Sequence, residues 1–148
     1  RRFVDVTAAA GPVFDRLGVA RGLSVGDLDN DGDSDAVIFN NSGPARVLRN
    51  DIGSRQHWLG LRVLDRGRDA AEASVALVRR TGVPLMRRVQ TDGSYCAGSD
   101  PRVLFGLGAD TSTQSVRVRW PDGRVEEFRD LAPDRYWILE AGKAPRGQ

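Results

Sequence analysis

The chain has 148 residues, 40% hydrophobic and 28% charged, with a formal net charge of +2; that is enough for one ordinary domain or two small ones with a buried core. All 22 basic side chains except Lys143 are arginine, and they are interleaved with Asp and Glu. A nucleic-acid binder gathers its basic residues into a stripe with little acid in it, so nucleic acid is excluded as a partner.

No run of about 18 apolar residues is present to span a membrane as a helix. No secretory leader is visible, and the chain opens on Arg1-Arg2-Phe3 as a piece of a longer protein would. The single cysteine, Cys96, cannot form an internal disulfide. It is read as a small half-buried side chain rather than a catalytic thiol.

In chain order, Leu23 and Val25 alternate with small or polar neighbours and lead into an acidic loop. Ala36 to Phe39 is a short apolar run, Asn40 to Pro44 is dense in turn formers, and Ala45 to Arg49 returns. Together they predict a β-hairpin with an acidic entrance. Further strands are expected at Trp58–Leu64, Ser74–Arg79, Leu85–Gln90, Val103–Leu107, Ser115–Trp120, Arg124–Phe128 and Tyr136–Leu139. Thr81-Gly82 is expected to turn the second of these into the third. The strictest period of two is Val116, Val118 and Trp120 facing a core, with Arg117 and Arg119 on the other face. Pro121-Asp122-Gly123 then supplies a turn, and Glu126 or Glu127 would pair with Arg117 or Arg119 across the strands. Many short strands with turn punctuation predict an all-β sandwich or small barrel. A boundary falls near 51–56. It gives residues 1–55 as a hairpin-bearing segment, 56–142 as a β domain and 143–148 as a tail.

The loop reads Asp27-Leu28-Asp29-Asn30-Asp31-Gly32-Asp33-Ser34-Asp35, with a carboxylate at every second position. Calcium is a hard cation that takes six to eight oxygens, and acids so spaced can curl around one ion. Gly32, sixth in the loop, permits the sharp turn. Asp27, Asp29, Asp31 and Asp35 are assigned as side-chain ligands and Asp33 as a backbone-carbonyl ligand. An EF-hand would need Glu at position twelve and flanking helices, but Ile38 stands there, inside a strand-like run. Magnesium, which retains more of its water, suits the acid-rich loop less well.

Elsewhere the chemistry-bearing residues are sparse. His57 is the only histidine, so multi-histidine zinc sites are excluded. Ser94 sits in a glycine-flanked loop without a nucleophile-elbow pattern. Phe105-Gly106-Leu107-Gly108 lacks the third glycine and following helix of a dinucleotide site. Trp58, Trp120, Trp137, Tyr95 and Tyr136 could stack on a sugar, but the strand alternation of the tryptophans favours core packing.

These residues resemble a known pairing of modules. Phe3-Val4-Asp5-Val6-Thr7, the stretch Gly26 to Asp35, and Leu48-Arg49-Asn50 resemble an FG-GAP/VCBS-type β-propeller repeat. His57-Trp58-Leu59, Gly93-Ser94-Tyr95, Leu104 to Gly108, Trp120-Pro121-Asp122-Gly123 and Leu131 to Arg135 resemble the ASPIC/UnbV domain that follows such repeats, as in the cartilage acidic protein-like family. One departure stands out. The family's Asn-Arg-Asp-Gly-Ile-Gly-Ala-like stretch reads Gly67-Arg68-Asp69-Ala70-Ala71-Glu72-Ala73 here, keeping Arg68 and Asp69 but losing the asparagine and the later glycines.

The resemblance implies a partial propeller blade ahead of the β domain, within a longer propeller-containing chain. It implies a secreted, cell-surface or periplasmic protein that binds calcium and contacts protein or glycan partners, with no catalytic residues. His57, Asp69 and Tyr95 are the candidate contact residues of the second module. The expected function is thus a non-catalytic calcium-binding extracellular module. Two alternatives remain open: an accessory protein or enzyme of natural-product biosynthesis of the enediyne type, which would need a deep pocket with convergent polar groups, and a carbohydrate-binding domain, which would need exposed coplanar aromatics.

Overall fold

The computed structural model describes residues 2–9, 11–80, 82–111 and 113–148. Arg1 and the Thr81 of the expected Thr81-Gly82 turn lie outside them. Among the described residues twelve strands follow one another: β1 (Ala20–Gly26), β2 (Asp35–Asn40), β3 (Arg46–Leu48), β4 (His57–Asp65), β5 (Arg68–Asp69), β6 (Ser74–Arg79), β7 (Leu85–Arg88), β8 (Val103–Gly108), β9 (Thr113–Arg119), β10 (Val125–Phe128), β11 (Tyr136–Glu140) and β12 (Arg146–Gly147). Three short 3₁₀ turns are the only helical elements among the described residues. The all-β expectation therefore holds.

The strands form three sheets. An antiparallel sheet β1-β2-β3 makes the expected hairpin and its return strand. A second has the order β10-β9-β6-β7. The third has the order β12-β11-β4-β5, with β8 also paired to β4. The second and third face each other as a sandwich, and neither closes into a barrel. Within this frame β4 and β11 run parallel, Tyr136 opposite Gly60 through Glu140 opposite Leu64.

The alternation that predicts the strands also sets the core. Leu59, Leu61, Val63, Phe105 and Leu139 from one sheet meet Val75, Leu77, Val116, Val118 and Phe128 from the other. Each side chain so enclosed is worth roughly 1.5–3 kcal/mol of transfer free energy. Trp120 is also enclosed there, as its period of two predicts. At the turn after it, Gly123 takes φ +89° and donates to the Trp120 carbonyl at 2.9 Å. Arg117 stands opposite Glu127, with a 3.9 Å ion pair between them.

Three features differ from expectation. The span 143–148, read as a tail, carries β12, which pairs with Trp137 and Ile138. The run Leu85–Gln90 ends as a strand at Arg88; Val89 turns inward and donates to the Ala73 carbonyl at 2.9 Å. Cys96 is exposed rather than half-buried, on a loop where it adopts φ +50°.

That loop, residues 91–102, ties the hairpin to the sandwich. Its Ser94 and Ser99 hydroxyls accept from the amides of Leu23 and Val25 at 3.0 and 3.2 Å. The Asp100 amide donates to the Val25 carbonyl at 2.9 Å. An edge strand presents unpaired amides and carbonyls, and here the sandwich satisfies part of the β1 edge. Gly22 and Gly26 allow the approach: a β-carbon on either would stand 2.9 Å from the Tyr95 carbonyl oxygen or 2.7 Å from the Asp100 β-carbon.

Candidate functional site

The acidic loop fills the β1–β2 connection, where its backbone could not pair with a strand. Its own carboxylates take up that hydrogen bonding. Asp27 accepts from the amides of Asp31 and Gly32 at 3.1 and 2.9 Å. Asp31 accepts from the Asp33 amide at 3.1 Å. Asp35 accepts from the Leu28 amide at 2.8 Å and, from beyond β3, from the Asn50 amide at 2.9 Å. These bonds curl the loop over Gly32, whose φ of +94° suits glycine.

Carboxylate oxygens of Asp27, Asp29 and Asp35 are brought within 4.8 Å of one another. Oxygens that share one calcium at about 2.3–2.6 Å stand no more than about 5.2 Å apart, so this trio meets the ion's span. The donors are all hard oxygens, as calcium prefers. Asp27 and Asp35 are buried and Asp29 is exposed, which leaves one open side.

Asp31 and Asp33 are placed differently. The Asp31 carboxylate is engaged with the Asp33 amide. Asp33 turns toward the segment after β3, accepting from the Ser54 amide at 3.0 Å, and its Oδ1 is buried without a hydrogen-bond partner. Burial pushes its carboxyl above the usual range; the Ser54 bond opposes this, and the neighbouring acids Asp31, Asp35 and Asp27 add to it.

The sandwich supplies the loop's outer support. Tyr136 of β11 donates its hydroxyl to Asp27 Oδ2 at 2.6 Å. Burial and then that bond hold the hydroxyl far above its ordinary pKa, so it stays a donor. Tyr136 packs on Trp58 with ring centroids 5.1 Å apart, and Trp58 lies under Gly32. Gly60 makes room, because a β-carbon there would stand 2.2 Å from the Tyr136 ring. Arg102 donates to the Asp27 carbonyl and to the Asn30 side chain. It also pairs with Asp100 at 2.6 Å and lies over the Tyr136 ring at 4.3 Å.

The other sequence candidates keep separate partners. His57 Nδ1 stands 2.7 Å from Asp134 Oδ2, both half-exposed. Asp69 is paired with Arg62 at 2.9 Å. Tyr95 is exposed and lines an open depression with Ala20, Arg21 and Asn41. Reading the sequence missed Tyr136 and Arg102 as loop residues, since each is more than 70 positions away. Asn50 was legible as part of the Leu48-Arg49-Asn50 match.

The profile of the family described as ASPIC and UnbV matches residues 64–146, more than half of the chain. The chain belongs to the ASPIC and UnbV family. The match covers the sandwich from the end of β4 to the start of β12. Human cartilage acidic protein 1 is 31% identical over 136 residues, covering 88% of this chain and 20% of its own length. The mouse protein of the same name is also 31% identical over 136 residues, with 21% of its length covered. This ASPIC and UnbV chain therefore spans about a fifth of the curated relatives it matches. Among the described residues no helix is long and apolar enough to cross a membrane.

Proposed function

We propose that the protein is a non-catalytic, calcium-binding extracellular module, in which a loop of FG-GAP/VCBS type braces a β-hairpin against the ASPIC and UnbV sandwich. The observation that carries this reading is the convergence of Asp27, Asp29 and Asp35 oxygens within 4.8 Å. Calcium would be held by these three, with Asp31 swinging in by rotation about its side chain. Asp33 would contribute its backbone carbonyl, since its side chain is committed to Ser54. The ion's charge would offset the mutual repulsion of the acids.

Resemblance to propeller repeats and likeness to cartilage acidic protein 1 support a secreted or surface location, a longer parent chain and a protein or glycan partner. A sugar platform is less well supported: Trp58, Trp120 and Tyr136 are buried, while Tyr95 is exposed. The scattered placement of His57, Asp69 and Tyr95 favours a binding role over catalysis.

The test is thermal melting of the 148-residue chain with calcium and with chelator. At a hundredfold excess of calcium over Kd the native state gains about 2.7 kcal/mol, so the midpoint rises with calcium and falls with chelator. Identical melting in both, matched by an Asp35→Asn variant with no calcium response to lose, would refute the reading.

A further inference from the structure

We propose that Tyr136 and Arg102 of the sandwich are positioning residues for calcium in the acidic loop, so that ion affinity is set in part by the ASPIC and UnbV module. This rests on the calcium reading above.

The argument begins with Asp27. Its Oδ1 accepts the Asp31 amide, and its Oδ2 accepts both the Gly32 amide and the Tyr136 hydroxyl. The two amides belong to the loop and move with it. The hydroxyl comes from β11, which is paired through its length to β4 in the sandwich. Tyr136 is therefore the fixed point that holds the first carboxylate of the loop in one orientation.

Arg102 acts on the same residue from the backbone side. It binds the Asp27 carbonyl and the Asn30 side chain, fixing the start and middle of the loop. Its guanidinium is itself held by Asp100, whose amide is bonded to the Val25 carbonyl at the end of β1. Both supports thus lead back to rigid strands. Hydrogen bonds that orient ligand carboxylates are worth about 10- to 100-fold in metal affinity. Linkage makes the effect reciprocal: whatever factor the sandwich adds to calcium affinity, calcium adds to docking of the sandwich on the hairpin.

The experiment is calorimetric titration of calcium into the 148-residue chain, comparing wild type with Tyr136→Phe, Arg102→Gln and Arg102→Lys. Expected is a Kd about 10- to 100-fold weaker for Tyr136→Phe and for Arg102→Gln, with Arg102→Lys partly restored because it keeps a cationic donor. Amide exchange of Ser99, Asp100 and Arg102 should slow on calcium addition in wild type, and slow less in Tyr136→Phe. A purely structural role would lower the calcium-free melting point and leave Kd and that exchange response unchanged. Variants that bind as tightly as wild type overturn this proposal and leave the calcium reading standing. A wild type that takes no calcium overturns both. If Tyr136→Phe fails to fold, the Arg102 pair decides the question alone.

Discussion

Gly32 lies so close to the Trp58 indole that a β-carbon on it would stand 2.1 Å from Cε2 and Nε1. The turn of the acidic loop is thereby seated on the first strand of the sandwich, and the missing side chain is what allows it.

Gly32→Ala should therefore be among the most damaging single-methyl additions in the chain. The φ of +94° and the collision act together. Left-handed backbone costs an L-residue about 1–2 kcal/mol, and overpacking about 1–3 kcal/mol. Urea unfolding should show a loss of about 2–5 kcal/mol on adding these two terms. A loss under about 0.5 kcal/mol, the usual size for an open surface site, would mean the loop does not rest on Trp58.

Acid should weaken the fold partly through Asp134. The bond to His57 at 2.7 Å holds its carboxyl below the usual carboxylate range, and the Trp58 amide at 3.2 Å adds to this. An ionised carboxylate can only accept, so the His57 ring nitrogen donates. Because the folded-state value is depressed, the stabilisation is present above the unfolded carboxyl's pKa of about 3.9 and is lost as pH falls through the lower folded value. Asp134→Asn keeps an acceptor for the Trp58 amide but cannot titrate. The stability gap between wild type and variant should close as pH falls below about 4. A gap independent of pH would remove Asp134 from the acid response.

The strap over β1 can be loosened without touching the core. Ser94→Ala with Ser99→Ala removes the acceptors for the Leu23 and Val25 amides. Each bond contributes about 0.5–1.5 kcal/mol, so the double variant should lose about 1–3 kcal/mol. It should also self-associate, since an uncovered edge is a template for strand pairing. Sedimentation velocity reads this directly; a double variant that stays monomeric at high concentration would show that the serines do not guard the edge.

How far the sequence predicted this arrangement differs between its parts. The strands β4, β6, β9 and β10 announce themselves, because alternation such as Val116, Val118 and Trp120 is the imprint of one buried face. The two-residue strands β5 and β12 have no room for a period. The parallel pairing of β4 with β11 is a tertiary outcome, invisible to local pattern. The acidic loop stands out in the sequence as five carboxylates on alternate positions around a glycine, and the structure gathers oxygens of three of them, Asp27, Asp29 and Asp35, within 4.8 Å. Its supports do not stand out, because Tyr136 sits in an apolar run where it reads as core, and Arg102 is one arginine among many. Cys96 was misjudged because its exposure follows from the strap's path over β1, which no nearby residue foretells.

The bond between Tyr136 and Asp27 spans 109 residues. During synthesis the loop leaves the ribosome first, and its anchor follows after about 5–20 s at ordinary elongation rates. Arg102 is made 75 residues after Asp27, so through most of that interval the nascent hairpin carries its acids with neither hydroxyl nor guanidinium to order them. An ion or a chaperone met at that stage would find a different loop from the one in the finished protein.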